Sequence, residues 1–296
     1  MLNFQQVQNI KLTSQVSIKP EFKIHETVSG NKFRKLKYNL KAIQKNGSLG
    51  VLTFGGAFSN HIAATAAAGQ LLNVSTVGII RGEELATKIE TNPTLAYAKS
   101  CGMQLEFVSR SVYKQKTDSA YIEYLQNKYP KYYIIPEGGT NALAVQGCEE
   151  ILTQSDEVYN VICCPVGTGG TISGLINSSL LTQKIIGFPA LKGAFLSEDI
   201  CKFATQSNWE LCNDYHFGGY AKVDTGLIRF INNFKKEFEI QLDPVYTGKM
   251  MFGIFDLIQK GVFSTSTKIL AIHTGGLQGI EGMNRQLKQK RMDLIV

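Results

Sequence analysis

The turn Val166-Gly167-Thr168-Gly169-Gly170-Thr171 follows a short apolar run and opens a helical stretch, Ile172 to Leu181. Glycines there let the backbone close on an anion, and the free N–H groups and dipole of a helix start suit a phosphate. A dinucleotide fingerprint fails in detail. Gly167 and Gly169 fit GxGxxG, but Ile172 takes the third glycine's place, and no acidic residue ends the next apolar run, Lys184 to Phe188. The Gly-Lys-Ser/Thr of a nucleotide P-loop is absent as well. A lone phosphate monoester fits better than a nucleotide. The plainer alternative is a tight turn that needs glycine.

Three further segments carry candidate chemistry. Phe54-Gly55-Gly56-Ala57-Phe58-Ser59-Asn60-His61 repeats the pattern of apolar run, glycine turn and helix start. Ser59, Asn60 and His61 fall where free helix N–H groups could hold a carboxylate, although one of them could simply cap the helix. In Ser29-Gly30-Asn31-Lys32-Phe33-Arg34-Lys35-Leu36, Lys32 follows a permissive turn and Lys35 lies one helical turn later on the same face. Lysine becomes a nucleophile when desolvated or flanked by other cations. Taken alone, this segment reads instead as a solvated basic helix. The last group is Asp243-Pro244-Val245-Tyr246-Thr247-Gly248-Lys249 with Ile272-His273-Thr274-Gly275-Gly276. Thr274 could face a ligand there, whereas His273 suits a packed strand position.

The elements that must position these residues alternate. Strands are expected at Val51 to Phe54, Ser75 to Ile80, Gln104 to Val108, Tyr132 to Ile135, Asn160 to Val166, Lys184 to Phe188 and Lys268 to His273. They are short, rich in β-branched or aromatic residues, and often apolar on both faces, as buried parallel strands are. Asn92-Pro93 reads as an N-cap followed by proline at the first helical position. Ala63 to Leu72 is alanine-rich and favours helix. The alternation predicts an α/β fold with parallel strands between helices, and ligands at the turns that leave the strands.

Composition narrows the function classes. The chain has 296 residues, 44% hydrophobic and 19% charged, as in ordinary globular proteins. No run approaches the roughly 18 apolar residues of a membrane helix, and the first residues lack a signal pattern. A cytoplasmic location is the expectation. The net charge of +7 is scattered apart from Lys32 to Lys37 and Lys288 to Arg291, with no nucleic-acid motif beside it. Positive charge also suits an anionic cofactor and an amino-acid carboxylate. The six cysteines form no CxxC pair and no HExxH is present, so neither a disulfide framework nor a metal site is expected.

Together the segments resemble the pyridoxal 5'-phosphate (PLP) enzymes of the tryptophan-synthase-β structural class, specifically the 1-aminocyclopropane-1-carboxylate (ACC) deaminase and D-cysteine desulfhydrase family. The matching blocks are Gly30-Asn31-Lys32 with Arg34-Lys35-Leu36, Ser59-Asn60-His61, Pro136-Glu137-Gly138-Gly139-Thr140-Asn141, Gly167 to Thr171, Asp243 to Tyr246 with Gly248-Lys249, and His273-Thr274-Gly275-Gly276. They run in this order from residue 30 to 276 and cover most of the chain.

The resemblance implies PLP fold type II: two domains, each with a mainly parallel twisted sheet flanked by helices. It implies a large domain of residues 1–37 and 143–296, a small inserted domain of residues 38–142, and a homodimer. By the same resemblance Lys32 carries PLP as a Schiff base, Asn60 contacts its phenolic oxygen, and Lys35 with Gly167, Thr168, Gly169, Gly170 and Thr171 holds the phosphate. Ser59, Asn60 and His61 hold the substrate carboxylate, Tyr246 and Tyr220 line the catalytic face, and Thr247 and Thr274 lie near the pyridine nitrogen. Two departures stand out. The family's Lys-Arg-Asp-Asp stretch has its best match in Lys19-Pro20-Glu21-Phe22, which loses the basic and acidic partners, and Phe58 replaces a common glutamine.

The activity so implied is β-elimination from a small amino acid, giving pyruvate and ammonia, with Lys32 as the base. Family deaminases typically place glutamate and leucine where this chain has Thr247 and Thr274, as desulfhydrases do. That favours a D-cysteine-like substrate over ring opening of ACC. A non-catalytic PLP carrier is a third reading, which retention of Lys32 with Tyr246 disfavours.

Overall fold

A computed structural model describes residues 4–193 and 195–296. The apolar runs become strands of two sheets. In chain order the strands are β1 (Ile10–Lys11), β2 (Val16–Lys19), β3 (Gly50–Gly55), β4 (Ser75–Arg81), β5 (Gln104–Val108), β6 (Tyr132–Ile135), β7 (Val161–Val166), β8 (Lys184–Pro189), β9 (Trp209–Leu211) and β10 (Ile269–Ile272). The helices are α1 (Asn31–Lys45), α2 (Asn60–Leu72), α3 (Pro93–Ser100), α4 (Arg110–Lys114), α5 (Ser119–Lys128), α6 (Ala142–Glu149), α7 (Gly170–Ser178), α8 (Phe195–Cys201), α9 (Thr225–Phe238), α10 (Thr247–Gln259) and α11 (Gly279–Gln289).

One sheet has six strands in the order β1-β2-β10-β7-β8-β9, and the other has four in the order β5-β4-β3-β6. Every pairing is parallel except β1 with β2. This is the expected α/β class of two mainly parallel, helix-flanked sheets. The strands of residues 50–135 form the smaller sheet. The residue 37/38 division falls inside α1, and the 142/143 division falls at the start of α6.

All seven expected strands form. Three more were not foreseen: β1, β2 and β9. Their four or fewer residues mix apolar with polar side chains, as in Val16-Ser17-Ile18-Lys19, so neither length nor periodicity marks them. β2 nonetheless lies inside the sheet, paired to β1 and β10. The helix signals hold. Asn92 accepts from the Leu95 amide at 3.0 Å with Pro93 at the first helical position. The alanines of α2 pack against the smaller sheet so closely that a Cβ on Gly69 would meet Thr76 Cγ2 at 2.4 Å.

The two charged residues of the segment Lys19-Pro20-Glu21-Phe22 are paired in the fold. Lys19 Nζ donates to Asp156, with both side chains buried. Glu21 is fully buried and takes two bonds from Arg34, Nε to Oε2 at 2.8 Å and Nη2 to Oε1 at 3.0 Å. This fork–fork pair locks the approach to α1 onto the helix that carries Lys32. No helix among the described residues is long and apolar enough to cross a membrane.

Candidate active site

Lys32 is the second residue of α1, and the entry to that helix is held by backbone. Gly30 has φ 65°, and a Cβ on it would lie 2.0 Å from the Thr274 carbonyl oxygen. Only glycine allows that approach. The Asn31 amide then donates to the same Thr274 oxygen at 3.1 Å, so the turn after β10 sets the start of α1. Lys32 Nζ donates to the Gly138 carbonyl at 3.1 Å. Burial first, and the Lys35 charge second, push the Lys32 amine well below the usual lysine range.

Lys35 is buried. Its Nζ donates to Gly138 O at 3.2 Å, Thr140 Oγ1 at 3.0 Å and Thr168 Oγ1 at 3.4 Å. Burial lowers its pKa as well. Among the described residues neither lysine forms an ion pair with an acid. The solvated basic helix that the segment suggests on its own is therefore not what forms. The pair faces the turn between β7 and α7, where Gly169 has φ 79°. A Cβ on Gly170 would come within 2.8 Å of Thr140 Oγ1 and 3.1 Å of Lys35 Nζ. The first amides of α7 have no intrahelical acceptor, and Thr171 Oγ1 takes a bond from Asn31 Nδ2 at 2.8 Å. Sequence reasoning gave no role to Gly138 or Thr140, although both lie in the block Pro136 to Asn141.

The start of α2 supplies the second set. Ser59 is the N-cap, and its Oγ accepts from the Ile62 amide at 3.3 Å. Capping uses an oxygen lone pair and leaves the hydroxyl hydrogen free to donate. The amides of Asn60 and His61 lie in the first turn, where helix geometry gives them no acceptor. Asn60 Oδ1 is buried without a partner. The His61 side chain points elsewhere, with Nε2 lying 2.8 Å from Thr53 Oγ1. The Thr53 hydroxyl gives its one hydrogen to the Ile135 carbonyl at 2.8 Å, so His61 Nε2 carries the proton and Nδ1 is bare. Burial, then the charges of Lys32 and Lys35, hold this imidazole neutral, well below its usual range. The backbone amide of His61, rather than its ring, belongs to the helix-start cluster.

Tyr246 precedes α10, and its ring lies under the phosphate-type turn: a Cβ on Gly167 would be 3.2 Å from its Cε1. Burial raises its phenol far above the ordinary value, with the Tyr220 phenol and Asp243 adding to the shift. Tyr246 therefore stays protonated. The Tyr220 ring meets it edge-on, centroids 6.3 Å apart at 69°. Asp243 organises the turn. Its carboxylate accepts from the amides of Val245, Tyr246 and Thr247 at 2.8–2.9 Å and from Thr247 Oγ1 at 2.7 Å. Thr247 is fully buried, and its only hydroxyl hydrogen goes to Asp243. Thr274 is nearly buried beside Gly30. His273 is the packed strand residue that was expected. Its ring packs tilted against Phe22, centroids 4.4 Å apart at 54°, Nε2 faces the Gln241 carbonyl at 2.8 Å, and Nδ1 accepts from the Gly275 amide.

A phosphorylated pyridine aldehyde suits this donor set. A lysine amine made neutral by burial suits an aldehyde, and a second buried ammonium with bare helix amides suits a dianionic phosphate. The Asn60 amide oxygen, buried with no partner among the described residues, leaves an acceptor open to a bound group. The match with known proteins points the same way. Residues 5–275 match the family model described as pyridoxal-phosphate dependent enzyme. A Pyrococcus abyssi protein named as a candidate 1-aminocyclopropane-1-carboxylate deaminase is 30% identical over 274 residues, 86% of this chain and 82% of that one. The mitochondrial bifunctional D-cysteine desulfhydrase/1-aminocyclopropane-1-carboxylate deaminase of Arabidopsis thaliana is 29% identical over 86% of this chain and 70% of its own. A crystal structure of an ACC deaminase homologue superposes with a TM-score of 0.85 at 28% identity, covering 98% of this chain and 95% of the other. The chain belongs to the family of pyridoxal-phosphate dependent enzymes, in the branch of the ACC deaminases and D-cysteine desulfhydrases.

Proposed function

We propose that this enzyme eliminates hydrogen sulfide from a small amino acid of the D-cysteine type, giving pyruvate and ammonia, and that it works as a homodimer. Lys32 Nζ is the amine that takes the cofactor aldehyde. Lys35, Thr168 and the Gly167–Thr171 turn hold the phosphate, and Asn60 meets the ring oxygen. Once bound, PLP makes the α-proton of an amino acid acidic by drawing the electron pair left behind into its ring.

The protein's own groups do the rest. The Ser59 hydroxyl hydrogen and the Asn60 and His61 amides bind and orient the substrate carboxylate. Lys32 Nζ, neutral through burial and the Lys35 charge, accepts the α-proton. Tyr246 Oη keeps its proton and serves as a donor toward the departing sulfur. Tyr220, packed edge-on against Tyr246, covers that face.

The observation that carries the choice of substrate is Thr247. A carboxylate beside a pyridine nitrogen holds it protonated and strengthens the electron sink. Thr247 carries no charge, so it holds a ring proton far less firmly than a carboxylate would. A weaker sink suffices to remove an α-proton and expel hydrosulfide. Opening a cyclopropane that has no α-proton needs a stronger one. ACC ring opening is the second reading, favoured by the names of the relatives. The test is kcat/KM for D-cysteine and for ACC, following pyruvate and 2-oxobutanoate. The proposal expects D-cysteine to exceed ACC by about tenfold or more, a gap of one transition-state decade. Faster turnover of ACC overturns it.

A further inference from the structure

Lys249 lies one helical turn beyond Tyr246 on α10, and its side chain is 1% exposed. Its ammonium makes no ion pair among the described residues. It donates instead to two backbone carbonyls, His216 O at 2.9 Å and Gly219 O at 2.8 Å. Those carbonyls belong to the segment that delivers Tyr220. The backbone there is contorted: Phe217, Gly218, Gly219 and Ala221 have φ of 53°, 91°, 115° and 54°. Phe217 and Ala221 are not glycine, so left-handed conformations cost them free energy and persist only where neighbours enforce them.

Three residues on one face of α10 do the enforcing. Lys249 holds the two carbonyls. The Phe252 ring meets the Phe217 ring edge-on, centroids 5.1 Å apart. Asp256 Oδ2 accepts from Tyr215 Oη at 2.6 Å. The spacings of three and four residues put all three on one stripe. Phe252 and Asp256 fix the start of the segment; of the three, only Lys249 reaches Gly219, next to Tyr220, where the turn's own bonds run from the Gly219 amide to His216 O at 3.0 Å and from the Lys222 amide to Gly219 O at 3.2 Å. The ammonium is also costly where it sits. Burial lowers its pKa to about 8, with Asp243 opposing the shift. A buried ammonium held by carbonyl oxygens, with a carboxylate acting only from beyond ion-pair distance, is poor stabilisation for a fold and is better explained as a tether.

We propose that Lys249 is a positioning residue: it straps the residue 216–219 backbone to α10 and thereby sets the Tyr220 ring against Tyr246. The inference rests on the reading that these two tyrosines line the catalytic face. It gives one helix control of both phenols, Tyr246 at its start and Tyr220 through the strap one turn later.

The test uses the PLP-loaded enzyme and the near-isosteric variant Lys249→Met. Hydrogen exchange followed by mass spectrometry reads the strap without any substrate. Peptides covering residues 214–222 should exchange about tenfold faster in the variant, while those from α10 and the strands keep wild-type rates. Tyr220 should also become faster to nitrate with tetranitromethane. With D-cysteine, kcat should fall about tenfold with little change in KM, and adding Lys249→Met to Tyr220→Phe should cost little more, because the two act as a unit. Unchanged exchange at 214–222, or a rise spread equally over α10 and the sheet, overturns the proposal, as do additive losses in the double variant. If the wild-type enzyme fails to turn over D-cysteine, the substrate reading falls, and the exchange and nitration results alone decide the strap.

Discussion

The side-chain nitrogens of Lys32 and Lys35 share one acceptor, the Gly138 carbonyl, at 3.1 and 3.2 Å. Two cations on one oxygen repel, and burial denies both of them water. The outcome for Lys32 is a neutral amine at a pH where a solvated lysine is charged. C–N bond formation with an aldehyde needs that neutral form. In cofactor-free protein, the rate of pyridoxal attachment at Lys32 should therefore rise with pH and level off well below the ordinary lysine range. Lys35→Met removes the second cause of the shift, so the same limb should move to higher pH. Pyridoxal lacks the phosphate, which keeps loss of the anion contact out of the comparison. A wild-type rate still climbing through the ordinary range would contradict the assignment.

The two anion sites should separate under mutation. Gly170 is the first residue of α7 and is not one of the positive-φ glycines, so alanine fits its backbone. The added Cβ would press on Thr140 Oγ1 and Lys35 Nζ. Gly170→Ala should weaken PLP affinity by about tenfold or more, an effect of at least about 1.4 kcal/mol. Ser59→Ala should leave PLP affinity within about twofold and instead raise KM, if the proposed role of Ser59 in holding the substrate carboxylate is right. Dissociation constants from cofactor absorbance and steady-state kinetics decide the matter. Equal weakening of PLP by both variants would mean that the phosphate and carboxylate sites have been confused.

How much of this was legible beforehand follows from how local each feature is. The seven expected strands and the turns at Gly55, Gly167 and Gly275 come from apolar runs and glycines that are read over a few residues. The short strand Val16–Lys19 was not legible, because its burial is created by β10, some 250 residues away in the chain. The chemistry divides in the same way. Gly30-Asn31-Lys32 alone favoured a solvated helix, and only the set of six blocks pointed to a lysine that binds a cofactor. The acceptor that Lys32 and Lys35 share, the Thr53–His61 bond and the Lys249 strap each join residues that no local pattern connects. The bond from the Thr247 hydroxyl to Asp243 was likewise hidden, since a threonine after Tyr246 does not announce where its hydrogen goes.

The Glu21–Arg34 pair illustrates the same limit and yields its own prediction. Glu21→Ala removes the buried guanidinium's bidentate partner and leaves it only the longer contact to Glu150 at 3.7 Å, which costs about 3 kcal/mol or more. The Tm should fall by roughly 6–20 °C on the usual scaling of about 2–4 °C per kcal/mol. Replacing both residues, Glu21→Met with Arg34→Met, removes the stranded charge and should recover much of the loss. A double variant no more stable than Glu21→Ala would show that the pair's geometry, rather than the uncompensated charge, is what the fold requires.

The central claim is that Lys32 carries the cofactor, and one measurement reaches it directly. The purified, PLP-loaded protein is reduced with borohydride, digested with trypsin and sequenced by mass spectrometry. The account predicts a phosphopyridoxyl group on Lys32, within a peptide that trypsin fails to cut at that residue, and none after Lys32→Met. The modification on Lys35, Lys249 or any other lysine, with Lys32 unlabelled, would contradict it.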